Sequence, residues 1–222
     1  MAQRVVVVGT GTDVGKTFVT AALAACARAD GRRVVAWKPI ASGVEGDFGE
    51  DALALADAAG HAPIRPAYVF APPVSPHLAA REAGVTIDLA RLRAGADALP
   101  DADLALVETA GGLFSPVAPG LANADLVRAP APSRVLLVAP DRIGVLHDLT
   151  ATWLAARAAG VAIDAVVLSA PAAPDASTGT NAAEAGVACG IDVVATVPRG
   201  ARDDAAVQSA ARCALALLTA SR

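Results

Sequence analysis

Of the 18 basic side chains in this chain only two are lysine, and both stand in settings where an ammonium could do chemistry. Lys16 closes the run Gly9-Thr10-Gly11-Thr12-Asp13-Val14-Gly15-Lys16-Thr17, and Lys38 lies in Trp37-Lys38-Pro39-Ile40-Ala41-Ser42-Gly43. An ammonium is a compact point charge that fits between phosphate oxygens, whereas a guanidinium is a wide planar fork. The first run follows an apolar stretch and opens a helical one, the setting of a phosphate-binding loop. Gly11, Thr12, Asp13, Val14 and Gly15 would supply a nest of backbone N–H groups, and the helix start adds a partial positive charge. Lys16 would neutralise the β- and γ-phosphate oxygens, and the Thr17 hydroxyl would reach Mg²⁺. Gly9 is separated from Gly15 by five residues, one more than the common spacing. The alternative is a glycine-rich turn that binds no nucleotide.

A carboxylate should complete the metal site. Glu108 ends the apolar run 104–107 and is followed by Thr109-Ala110-Gly111-Gly112. At the carboxyl edge of a parallel sheet it would face a nucleotide crevice. Asp51 opens a helical stretch, where a carboxylate either caps the helix or serves the metal.

These residues need a scaffold that brings several strand ends together. β-Branched and apolar runs at 5–8, 34–37, 104–107, 135–138, 165–168 and 193–197 read as strands. Ala/Leu-rich stretches at 17–30, 51–59, 145–159, 181–189 and 203–219 read as helices. Several strands are apolar throughout instead of alternating, so both faces of the sheet should be covered. The alternation of strands and helices predicts a single α/β domain over residues 1–222. It should be a doubly wound, mainly parallel sheet of about seven strands, of the P-loop NTPase type. Proline-rich stretches at 71–76, 129–132 and 171–174 read as loops.

Composition narrows the partners. The chain has 222 residues, 55% of them hydrophobic and 18% charged, which suits a filled core and not disorder. Its net charge of −4 argues against a nucleic-acid surface. No apolar run is long enough to span a bilayer. Cys26, Cys189 and Cys213 lie apart in alanine-rich surroundings and read as thiols of a reducing, cytoplasmic protein.

Taken in order, Gly9-x₅-Gly15-Lys16-Thr17, Lys38-Pro39-Ile40-Ala41-Ser42-Gly43, Asp51, Pro73-Val74-Ser75-Pro76-His77 and Glu108-Thr109-Ala110-Gly111-Gly112 resemble the dethiobiotin synthetase family. The similarity runs from residue 5 to roughly residue 168. It implies an ATP- and Mg²⁺-dependent ring closure in the cytoplasm. CO₂ adds to an amine of 7,8-diaminopelargonate, the carbamate attacks the γ-phosphate, and the second amine closes a cyclic urea. It further implies that Lys16, Lys38 and Thr12 act in catalysis, that Thr17, Asp51 and Glu108 surround Mg²⁺, and that Asp13 lies near the reacting groups. Lys38, Ser42, Gly111, Gly112 and His147 would meet the substrate. A homodimer is implied too, with the substrate's carboxylate tail at the helix start 144–148 near the subunit boundary. Three positions depart from the family pattern. His147-Asp148 replaces an Asn-His pair, Thr109 replaces a glycine, and Ser169-Ala170-Pro171 replaces an Asn-Asp pair that reads adenine. His147 could contact the tail or simply sit on the helix surface, and His77 suits a structural hydrogen bond better than a general base. Ser169 in the nucleotide site offers only a hydroxyl, so base selection should be loose. Rival readings are a switch ATPase of the partition or septum-positioning kind and a related ATP-dependent ligase with another substrate.

Overall fold

The computed structural model describes residues 3–128 and 133–220. Its strands are β1 (Gln3–Gly9), β2 (Val34–Trp37), β3 (Ile40–Ser42), β4 (Tyr68–Phe70), β5 (Leu104–Gly112), β6 (Pro116–Ala118), β7 (Leu121–Ala122), β8 (Ser133–Pro140), β9 (Ala165–Ser169) and β10 (Ala195–Val197). Its helices are α1 (Lys16–Ala29), α2 (Gly49–Ala59), α3 (Pro76–Glu82), α4 (Leu89–Asp97), α5 (Asn123–Val127), α6 (Val145–Ala158), α7 (Asn181–Cys189) and α8 (Ala205–Thr219). The main sheet has six strands in the order β10-β9-β8-β1-β5-β2, and every described pairing in it is parallel. A parallel neighbour requires a crossover, and the helices supply it on both faces.

Successive residues of the central strands point to opposite faces, and both faces are apolar. Val5, Val7, Leu104, Leu106, Leu136 and Val138 pack with Val19 and Leu23 of α1, Leu55 of α2 and Leu215 of α8. Val6, Val8, Leu137 and Leu168 pack on the other face with Val145 and Leu149 of α6 and Ala185 of α7. This two-sided burial is why the strands read as continuous apolar runs.

The expected sheet of about seven strands is a sheet of six, with the extra strand pairs held apart from it. Trp37 is the last residue of β2 to pair with β5, and Pro39 follows almost at once. A proline has no N–H to give to a ladder, so the chain leaves the sheet there. It then pairs β3 with β4 in a two-stranded parallel sheet over a third core of Ile40, Tyr68, Phe70, Ala79 and Val117. β6 and β7 form a separate antiparallel ribbon.

The five expected helices are present with ends within two residues of those read from sequence. α3, α4 and α5 were not foreseen. Pro76, expected in a loop, opens α3, where its missing N–H costs nothing. The strand expected over 193–197 is paired only at Ala195–Val197. The stretch 171–174 is irregular as expected, and 129–132 lies outside the described residues.

Candidate active site

Register decides what meets at the top of the sheet. Trp37 pairs with Val107, so the next residues, Lys38 and Glu108, emerge side by side from neighbouring strands. Val7 pairs with Glu108 on the other flank of β5, and a bulge then sets Gly9 opposite Gly112. The phosphate loop therefore leaves β1 directly beside Glu108.

Inside that loop the backbone is wound tightly. Asp13 has φ 56° and Gly15 has φ 91°, both in the left-handed region. A Cβ at Gly15 would stand 2.2 Å from Ser169 Oγ, and one at Gly9 would stand 2.8 Å from the Gly11 carbonyl. Gly9 thus belongs to the loop although it lies one residue outside the common spacing. Lys16 Nζ, at the start of α1, donates to the Gly11 carbonyl at 2.8 Å and is only 6% exposed. Burial pulls its pKa down to about 8, with the charge of Glu108 acting in the opposite direction and that of Lys38 reinforcing the drop.

Glu108 is wholly buried. Its Oε1 accepts from Thr17 Oγ1 at 2.8 Å and from Lys38 Nζ at 2.9 Å, while its Oε2 has no protein partner. Lys38 also pairs with Asp51, which is carried in by the first turn of α2. Burial alone would lower the Lys38 pKa, but Glu108 and Asp51 outweigh it and the net shift is upward. Asp51 is shifted the other way. Burial raises its pKa, yet the Lys38 ammonium more than offsets this and holds the carboxyl below its ordinary value.

Two cavities flank the loop. One, of about 720 Å³, lies between Lys16, Lys38, Asp51 and Glu108 and is also walled by Thr12, Asp13, Thr17, Ser42 and Gly111. The second, of about 470 Å³, is bounded by Val14, Gly15, Phe18, Arg142, Ser169 and Arg199. A larger groove of about 1060 Å³ runs from Phe18 between α1 and α2. Its Arg28 and Arg202 are engaged by Asp57 and backbone carbonyls, and no lysine lines it.

The structure thus brings Lys16, Lys38, Thr12, Asp13, Thr17, Ser42, Asp51, Glu108 and Gly111 to one cavity. Gly112 supports it from behind, because a Cβ there would meet the Thr10 carbonyl at 3.1 Å. Val14, Gly15 and Ser169 belong to the second cavity. His147 lines neither of them and is exposed on α6. Its neighbour Asp148 faces Arg142 Nη2 at 3.5 Å, which gives that carboxylate a counter-charge at the helix start. His77 lines neither cavity; its Nδ1 lies 3.0 Å from Ser75 Oγ, as a structural histidine would.

Sequence reasoning missed Asn123. Fully buried, it donates through Nδ2 to the carbonyls of Ala110 and Gly112, at 2.6 and 2.8 Å. It thereby fixes the turn that carries Gly111. Nothing periodic marks such a residue, since its partners are backbone atoms from an earlier strand.

For Mg²⁺ the donor set fits. Two carboxylates and a hydroxyl are hard oxygen ligands, and Mg²⁺ commonly keeps one or two carboxylates with phosphate oxygens and waters. The partnerless Glu108 Oε2 is a buried acceptor in want of a cation. No cluster of three or more His, Cys, Asp or Glu side chains suited to a metal occurs among the described residues, so a site made of protein ligands alone is not present there.

Comparison with known proteins gives the family. A family profile described as an AAA domain matches residues 3–204. The ATP-dependent dethiobiotin synthetase BioD of Rhodopirellula baltica is 39% identical over 89% of this chain and 84% of its own length. That of Streptomyces coelicolor is 38% identical over 88% of this chain and 84% of its own. The chain belongs to the dethiobiotin synthetase family. It is an ATP-dependent ligase of the carbon–nitrogen-bond-forming class. Among solved structures, MinD in the MinC:MinD complex of Aquifex aeolicus superposes with a TM-score of 0.59 at 14% identity, covering all of this chain and 98% of that one. MinD of Pyrococcus horikoshii with Mg-ADP superposes with a TM-score of 0.54 at 16% identity over 96% and 94%. At such identities the likeness is one of fold, and it confirms the doubly wound P-loop architecture expected from sequence. No described helix is long and apolar enough to cross a membrane.

Proposed function

We propose that this synthetase converts 7,8-diaminopelargonate, CO₂ and ATP into dethiobiotin, ADP and phosphate. The observation that carries the reading is the emergence of Lys38 beside Glu108 from paired strands, in the same cavity as Lys16. Carbamate and triphosphate are both anionic. A reaction between them needs fixed cations aimed at charge that develops in the transition state, and an in-line arrangement of the two reactants.

In this reading Lys16 and the loop amides grip the β- and γ-phosphates. Thr17, Asp51 and Glu108 would hold Mg²⁺, which screens the phosphate oxygens. CO₂ adds to one amine of the substrate, which loses a proton and becomes a carbamate. A carbamate oxygen attacks the γ-phosphorus in line with the departing ADP, giving a mixed anhydride. The second amine then attacks the carbamoyl carbon, loses its proton, expels phosphate and closes the cyclic urea. Lys38 stands where the carbamate and the transferring phosphoryl group meet. Two of its three N–H donors are taken by Glu108 and Asp51, which leaves one for an anionic reactant. Ser42 hydrogen-bonds the substrate, Thr12 and Asp13 flank the reacting groups, and Gly111 and Gly112 keep the cleft free of side chains. The 470 Å³ cavity beside Ser169 takes the base.

The chain is further proposed to work as one domain over residues 1–222 and as a cytoplasmic homodimer. Ile143, just before α6, is 72% exposed and Leu154, in its second half, 58%, which gives a second copy apolar surface along α6. His147 would then approach the substrate tail at that boundary.

Incubation with diaminopelargonate, bicarbonate, Mg²⁺ and ATP is expected to yield the cyclic urea, detectable by mass spectrometry. Lys38→Ala should lower its formation by about 10²–10³-fold while nucleotide binding survives. No cyclic urea from the unaltered chain would sink the proposal, and full turnover by the variant would remove Lys38 from the mechanism.

A further inference from the structure

Two walls of the proposed base cavity begin at strand ends and continue into loops that the sheet does not hold. One wall is Pro140, the last residue of β8, with Arg142 beyond it; the other is Ser169, the last residue of β9, with Ala170 and Pro171 beyond it. Pairing between these strands stops at Pro140 and Ser169, so past that point other bonds must fix the gap.

Two aspartates supply them. Asp141 is 2% exposed. Its N–H donates to the Ser169 carbonyl at 2.9 Å, and its carbonyl accepts from Thr178 Oγ1 at 3.0 Å. Its carboxylate accepts from Asn181 Nδ2 at 2.8 Å and from the Gly179 N–H at 2.9 Å. One buried side chain thus ties the β8 end to the far end of the loop that follows β9. Asp175 ties the middle of that loop back again. Its carboxylate accepts from the Ile143 N–H at 2.8 Å, and its own N–H donates to Thr178 Oγ1 at 3.0 Å. Hydrogen bonds from Ser177 Oγ and from the backbone of Ile143 and Ser177 pull its pKa down to about 2, so the tie is charged at neutral pH. Asp141 and Asp175 line neither the catalytic cavity nor the base cavity themselves.

We propose that Asp141 and Asp175 are positioning residues for nucleotide recognition: they set the distance between the two loops that enclose the base. This rests on the assignment of that cavity to the base. Phosphate binding does not depend on either aspartate, because the phosphate loop is built on β1 and α1. The two halves of a nucleoside triphosphate should therefore respond differently to loss of these ties.

The test is calorimetric titration of Asp141→Ala and Asp175→Ala with Mg-ATP and, separately, with Mg-tripolyphosphate, which has no base. Asp141→Ala should weaken ATP binding about tenfold and Asp175→Ala about threefold, with tripolyphosphate affinity changed less than twofold in both. Asp175 is at the surface, so its variant keeps the question open if Asp141→Ala fails to fold. Equal losses for both ligands would reduce the aspartates to a general structural role, and unchanged ATP affinity would also overturn the proposal. Should the unaltered chain bind tripolyphosphate as tightly as ATP, the base assignment itself fails. Should it bind neither, the nucleotide reading fails.

Discussion

Raising the pH from 7 to 9 should weaken nucleotide binding about tenfold, because the phosphate-binding ammonium sits at a depressed pKa. Burial brings Lys16 down to about 8, against an ordinary lysine value of about 10.4. Without ligand, Lys16 is then about nine-tenths protonated at pH 7 and about one-tenth at pH 9. A unit charge about 4 Å from a phosphate oxygen is worth about 4 kcal/mol at an effective dielectric of about 20. The neutral form therefore contributes little binding, and affinity should follow the protonated fraction. The bound triphosphate raises the Lys16 pKa, so association must draw in a proton wherever the free lysine has lost one. Uptake should be about 0.1 proton per site at pH 7 and about 0.9 at pH 9. Lys38 does not blur the signal, because its pKa is shifted upward. Titration calorimetry with Mg-ADP, in buffers of different ionisation enthalpy, reads both quantities. In Lys16→Gln the residual binding should lose its pH dependence in this range. Constant affinity from pH 7 to 9 with no proton uptake would show that Lys16 is not the group meeting the phosphates, or that its burial is relieved in solution.

Two further outcomes follow from the loop and its neighbour. Gly15→Ala puts a side chain at φ 91° and against Ser169, so it should cost about 1–3 kcal/mol, seen as a lower denaturant midpoint; an unchanged midpoint would contradict the geometry. Base discrimination should be weak, with kcat/KM for CTP within about tenfold of that for ATP. Ser169 offers one hydroxyl, Arg142 and Arg199 offer only donors, and the cavity's one carboxylate, Asp13, belongs to the phosphate loop and also lines the catalytic cavity, so no side chain beside Ser169 pairs an acceptor with a donor for the adenine edge. A large ATP preference in steady-state kinetics would refute this.

The parts of the fold that could be read from sequence are those buried on two sides. Val5 to Val8 and Leu104 to Val107 must be apolar at every position, which no exposed segment imitates. α3, α4 and α5 cover the smaller sheet and the sides of the main one; they have seven, nine and five residues and too few turns to show a period. In the site, Lys16, Thr17, Lys38, Asp51 and Glu108 were legible because local motif context marks them. Their convergence rests on strand register, which sets Lys38 beside Glu108 and the phosphate loop on the other flank of β5. Asn123, Asp141 and Asp175 were not legible. Each acts through bonds to backbone atoms of distant loops, and in the sequence it looks like any polar residue of a turn.

The scarcity of lysine has one more consequence. Both ε-amines are nearly hidden at the reaction cleft, at 6% and 8% exposure, and the outer surface carries its positive charge on arginine. Guanidinium does not react with ordinary acylating agents at neutral pH, since it stays protonated. Apart from the α-amine, then, an acyl donor finds no amine on this molecule outside the cleft: either lysine it modifies lines the catalytic cavity, and a nucleotide seated there would shield it.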